Sequence, residues 1–77
     1  MDSTFPLSQL PVGQCATVQQ ILTAGTMRRR LQDLGIILGT PIECVLKSPA
    51  GDPVAYRIRG ALIALRKKDS ETILMNL

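Results

Sequence analysis

The chain has 77 residues, a net charge of +3, 45% hydrophobic residues and only Phe5 and Tyr56 as aromatics. That length fits one domain, spanning 1–77, with a single small core and no deep substrate cleft. The hydrophobic share excludes intrinsic disorder, no run reaches the ~18 apolar residues of a membrane span, and the mild positive charge does not by itself imply nucleic acid.

Taken in chain order, Pro6 to Leu10 fits one helical turn with Leu7 and Leu10 on one side. Cys15 to Leu22 reads as a first strand. Ala16 and Val18 alternate inward, Ile21 breaks the parity, and a bulge near Gln19–Gln20 restores it. A helix follows, with Thr26 as N-cap and Gly35 as the left-handed residue after its end. At about 100° per residue, Met27, Leu31 and Leu34 form a narrow apolar seam. Arg28 and Arg29 point away from that seam, Arg30 borders it, and Asp33 stands one turn from Arg29 and Arg30 to pair part of their charge. Consecutive arginines fan out around a helix and form no single stripe.

Thr40 to Lys47 is the second strand, with Ile42, Cys44 and Leu46 on one face. In SPAGDP, Pro49 suits the first central position of a type I turn and Gly51 a positive φ. Val54 to Arg59 is the third strand, with Val54, Tyr56 and Ile58 inward and Arg57 and Arg59 outward. Gly60 marks a sharp bend, Ala61 to Arg66 is the fourth strand with Ile63 and Leu65 inward, and KKDSE is a short turn. Thr72 to Leu77 closes the chain as a fifth strand with Ile73, Met75 and Leu77 aligned. The fold class is mainly β with one short helix: a small five-stranded barrel, the helix lying between strands one and two and plugging an open end.

These residues resemble the ferrous iron transport protein A family. The resemblance rests on Leu7–Leu10, on the helix end Arg29–Gly35, on the Pro49–Pro53 hairpin, and on Arg59–Gly60 followed by Leu65–Arg66. It spans Pro6 to Leu77. Leu38 stands where the family often has proline, and Ala50 at a hairpin tip that often carries a larger apolar residue. The resemblance implies an SH3-like barrel. It also implies a small cytoplasmic bacterial accessory that binds the membrane ferrous iron transporter, which carries a cytoplasmic G-protein domain, and supports or regulates uptake. Such a protein is peripheral to the membrane through its partner.

Chemistry of its own is not expected. The chain has no histidine, so it lacks a Ser–His triad and any histidine ligand. Its carboxylates, Asp2, Asp33, Glu43, Asp52, Asp69 and Glu71, are scattered. It has no glycine-rich phosphate loop for GTP. Cys15 and Cys44 are two thiols where a structural zinc or iron–sulfur site wants about four ligands. The start MDSTFPLSQL lacks a basic segment followed by an apolar block, so no signal peptide is expected and the cysteines read as reduced cytoplasmic thiols. No cofactor, catalytic residue or metal ligand is assigned; weak surface contact with Fe(II) is the one metal reading kept open.

Surface chemistry points to a partner. Gly35-Ile36-Ile37-Leu38-Gly39 places three apolar residues in a loop. Ile36 can pack back on the helix, leaving Ile37 and Leu38 for solvent or for closing the barrel. With Arg28, Arg29, Arg57 and Arg59, these two form the expected partner-binding set: apolar contact for affinity, arginines for steering toward an acidic protein or anionic membrane surface. Arg57, Arg59, Arg66, Lys67 and Lys68 also make a basic cluster. A nucleic-acid or repressor-type module is the alternative from another class, but base stacking needs aromatics and only Tyr56 is near. An open strand edge would also allow pairing with a second copy.

Overall fold

A computed structural model describes residues 4–77; Asp2 lies outside them. Six strands form one antiparallel sheet: β1 (Phe5–Pro6), β2 (Cys15–Ile21), β3 (Pro41–Lys47), β4 (Val54–Ile58), β5 (Ala61–Leu65) and β6 (Ile73–Asn76). Their order is β1-β6-β2-β3-β4-β5, so β1 and β5 are the edges. The expected five-stranded barrel is therefore corrected to a six-stranded open sheet. The added strand is β1, where Phe5 and Pro6 pair with Met75 and Leu74. A 3-10 turn, Leu7–Gln9, follows it, with Leu7 and Leu10 buried.

Helix α1 (Gly25–Asp33) follows the second strand of six rather than the first of five, and α2 (Lys67–Ser70) stands where a plain turn was expected. Asp52 anchors α2 from the β3–β4 hairpin, its Oδ1 accepting from the Lys67 amide at 2.8 Å. Helix α1 begins one residue before the expected cap. Gly25 has φ 70 and takes the chain into the helix from Ala24, so Thr26 lies inside the first turn and makes no cap.

Two bulges curve the sheet over its core. In β2, Val18 faces Met75 and Gln20 faces Leu74, so Gln19 is the extra residue that the Ala16–Val18–Ile21 parity demanded. The second bulge lies between Cys44 and Leu46 of β3. It reverses the alternation after Cys44, and Leu46 comes to face Ala55 on the outer side, 52% exposed. The expectation that Leu46 continues the Ile42–Cys44 face fails for that reason. Leu77 also departs from its expected alignment: β6 ends at Asn76 and Leu77 is exposed.

The core gathers inward residues of every strand except β1, joined by Leu31 and Ile36 from the helix and its exit. Each fully buried aliphatic side chain stabilises the fold by roughly 1.5–3 kcal/mol. Met27 and Leu34, assigned to the same seam as Leu31, are only half-buried. At the sheet's far end, the Thr23 and Thr72 hydroxyls hydrogen-bond to each other, tying the exit of β2 to the approach of β6. The β3–β4 turn matches its sequence: the Gly51 amide donates to the Ser48 carbonyl at 2.8 Å across Pro49–Ala50.

Candidate docking surface

The exit from α1 builds the surface. Leu34 ends the helix and Gly35 takes φ 91. The Ile36 amide donates to the Leu31 carbonyl at 2.9 Å and the Gly35 amide to the Gln32 carbonyl at 2.9 Å. These two bonds define a Schellman motif, whose apolar partner packs back against the helix. That partner is Ile36, fully buried against a fully buried Leu31.

The chain then turns tightly. The Thr40 amide donates to the Ile37 carbonyl at 3.1 Å with Gly39 at φ 85. A positive φ at the second central residue alone makes this a type II turn, which favours glycine there and accepts proline one position earlier. Four further bonds pin it. The Gly39 amide donates to the Val18 carbonyl at 2.8 Å, and the Val18 amide to the Thr40 carbonyl at 2.9 Å. Thr40 Oγ1 donates to the Gly35 carbonyl at 3.1 Å and accepts from the Ile37 amide at 3.2 Å. Ile37, 45% exposed, and Leu38, 67% exposed, thus stand on a braced turn. Bracing lowers the ordering entropy that an apolar contact must overcome on binding.

The four arginines of the expected set do not share one face. Arg59 lies outside β4, in the two-residue β4–β5 turn between the paired Ile58 and Ala61, with φ 50. Its side chain swings to the helix exit, where Nε donates to the Gly35 carbonyl at 3.3 Å. It therefore joins the Ile37–Leu38 turn rather than Arg57. Arg57 stays on the outer sheet face and pairs with Glu43 at 3.3 Å. Arg28 Nη1 donates to the Ile21 carbonyl at 3.1 Å. Arg29 is exposed and, among the described residues, makes no hydrogen bond or ion pair. The expected pairing of Asp33 with Arg29 and Arg30 does not form among the described residues, where the ion pair present is Arg57–Glu43. Exposed helix pairs are worth only a few tenths of a kcal/mol, too little to hold long side chains in place.

The nature of the family follows from the matching span. Residues 5–77 match the family model described as the FeoA domain. The chain belongs to the FeoA family. It is 34% identical over 67 residues to an Fe(2+) transport protein A/Fe(2+) transporter FeoB fusion protein of Porphyromonas gingivalis, an alignment covering 87% of this chain and 8% of that protein. The chain thus spans a small fraction of that relative's length. A FeoA-like protein from Clostridium acetobutylicum superimposes with a TM-score of 0.89 at 34% identity, over 100% of this chain and 90% of that one. FeoA of Stenotrophomonas maltophilia, solved with zinc and described as a prokaryotic SH3 domain protein, gives 0.81 at 30% identity over 94% and 89%. A manganese-dependent transcriptional repressor gives 0.87 at 21% identity, over 100% of this chain and 38% of its own; that likeness is one of fold.

As a FeoA-family chain it offers few ligating groups. Among the described residues no three His, Cys, Asp or Glu side chains cluster. Cys15 and Cys44 are free, the first exposed and the second buried. Cys15 pairs with Glu43, the neighbour of Cys44, so strand alternation sends the two thiols to opposite faces. Burial pushes the Cys44 thiol up from its ordinary value; nearby Lys47 opposes this and Glu43 adds to it. Burial likewise raises the Tyr56 phenol, opposed by its hydrogen bond with Ser70. A raised thiol pKa keeps Cys44 protonated and unreactive at neutral pH. No helix of the described residues is long and apolar enough to cross a membrane.

Proposed function

We propose that this chain is a non-enzymatic, SH3-like accessory of bacterial ferrous iron uptake that docks on the cytoplasmic part of the ferrous iron transporter. The observation that carries this reading is the braced turn holding Ile37 and Leu38 in solvent. Two apolar side chains on a rigid platform, with Arg59 beside them, suit the centre of a protein interface. The Porphyromonas gingivalis relative, which joins transport protein A and the transporter in one chain, supports the choice of partner. Fusion holds two modules at high effective concentration, which is useful when they work in contact. In this reading Arg29 supplies long-range attraction to an acidic partner surface. Arg28, Arg57 and Arg59 add to that field while serving as internal donors.

The test is binding of the purified chain to the transporter's cytoplasmic domain, with Ile37→Asp and Leu38→Asp as variants. Both positions are exposed, so both variants should fold. Each is expected to weaken binding at least about tenfold, since a charge placed in an apolar contact is desolvated without a partner. Unchanged affinity in a folded Ile37→Asp, Leu38→Asp double variant would remove the turn from the docking surface.

A further inference from the structure

A second surface lies between α1 and the open edge of the sheet. A groove of about 640 Å³ is walled by Met27 and Leu34 of the helix and by Leu62 to Leu65 of β5. That volume falls within the ~300–1,000 Å³ of ligand clefts. Met27 and Leu34 are half-buried and line this groove; Met27 also packs against the core, where Leu31 is the fully buried residue of the helix.

The edge is chemically specific. Among the described residues β5 pairs with β4 alone. The two-residue turn makes Ile58 and Ala61 a hydrogen-bonded pair, and the alternation of antiparallel ladders then assigns Ile63 and Leu65 to bonds with β4. Leu62 and Ala64 are left with amide and carbonyl groups directed away from β4, toward the groove. Arg30, Arg66 and Lys68 line its rim, with Asp69 the one carboxylate there among the described residues. Among the described residues, none of the three cations has a hydrogen bond or ion pair. An unpaired edge, an apolar wall and a positive rim with little counter-charge meet in one place.

We propose that this groove receives an extended, acidic segment of a partner protein, which adds to the sheet as a strand beside β5. Its backbone pairs with Leu62 and Ala64, alternate apolar side chains lie against Met27, Leu34 and Ile63, and its carboxylates meet Arg30, Arg66 and Lys68. Strand addition takes affinity from backbone bonds and selectivity from alternate side chains. A second copy of this chain is a poorer occupant, because it would bring the same positive rim into the interface twice. The site is separate from the Ile37–Leu38 turn and stands or falls without it.

The probe is a capped octapeptide alternating Val and Glu, titrated into the ¹⁵N-labelled chain, with the Val/Lys peptide as control. The Val/Glu peptide should shift resonances of β5 and of Met27 and Leu34, and slow amide exchange at Leu62 and Ala64. Ala64→Pro removes an outward amide while sparing the bonds to β4, as proline does on edge strands. It should weaken binding at least about tenfold, and so should Arg66→Glu, an exposed substitution that keeps the claim testable should the proline disturb the sheet. Ile37→Asp should leave this titration unchanged. The proposal is overturned by an absence of saturable shifts at millimolar peptide, by equal binding of the Val/Lys peptide, or by shifts centred on residues 36–40. It is equally overturned if the free chain sediments as a dimer with Leu62 and Ala64 already protected.

Discussion

Arg59 lies across Gly35: its Nε donates to the Gly35 carbonyl at 3.3 Å, and its Cδ occupies space 2.7 Å from where a Gly35 Cβ would stand. One side chain from the β4–β5 turn thereby clamps the helix exit beneath the Ile37–Leu38 turn. Gly35 is held to glycine by φ 91, and a Cβ there would in addition have to displace the Arg59 side chain. Gly35→Ala should destabilise by about 1–2 kcal/mol from the left-handed backbone alone, with an added loss as the flexible arginine is pushed off its acceptor. Urea unfolding of Gly35→Ala, Arg59→Ala and the double variant separates the two contributions. The alanine at 35 should cost less when Arg59 is absent, and strict additivity would contradict the contact.

Ile36 and Ile37 are neighbours of one residue type with opposite environments, the first fully buried and the second 45% exposed. Ile36→Ala opens a cavity against Leu31 and should cost about 2–5 kcal/mol. Ile37→Ala should stay within about 0.5 kcal/mol of the parent, as exposed substitutions do. Chemical denaturation of the two variants checks the assignment, and comparable losses at both positions would contradict the Schellman reading.

The same loop marks how far the sequence could be read. A helix ending at a glycine, with one isoleucine folding back and two apolar residues beyond, was legible because Schellman bonds are local and their residue pattern is short. The β2 bulge was legible because Ile21 broke an alternation already under way. The β3 bulge was not, since Cys44, Val45, Leu46 and Lys47 keep a regular pattern through it; only pairing with Tyr56 and Ala55 reveals the slip. β1 is two residues long and exists through pairing with Leu74 and Met75 near the other end of the chain, a contact with no local signature. The reach of Arg59 to Gly35 was hidden in the same way. Alternation placed Arg59 beside Arg57, whereas the strand had already ended at Ile58. The groove went unseen because Met27 and Leu34 keep core spacing while also lining it.

Leu38 occupies the first central position of the type II turn. Proline suits that site, and among the described residues no backbone bond from the Leu38 amide accompanies those that brace the loop. Leu38→Pro should therefore leave stability unchanged or raise it by about 0.4–1 kcal/mol, by restricting the unfolded chain. In the proposed docking role it should also trim the apolar contact, so transporter binding is expected to fall while thermal stability holds or rises. A marked fall in the melting temperature would mean that the turn is not of type II.

Alkaline pH tests the buried end of the core. Cys44 and Tyr56 are both acids whose charged form is the deprotonated one, and burial raises both above their ordinary values of 9.0 and 10.0. At neutral pH the folded and unfolded chains both hold these protons, so neither group makes stability depend on pH there. As pH climbs past 9.0 and then 10.0, the unfolded chain releases protons that the folded chain keeps. The unfolded state is favoured with a limiting slope of about 1.4 kcal/mol per pH unit for each proton. The urea midpoint should thus decline through that window toward the raised folded values. Tyr56→Phe should flatten the part that begins near 10.0 while leaving the earlier, Cys44-dependent part in place, whatever it does to the neutral-pH midpoint. An unaltered alkaline slope in Tyr56→Phe would mean that the phenol is ionised as readily in the fold as in water, contrary to its burial beside Ser70.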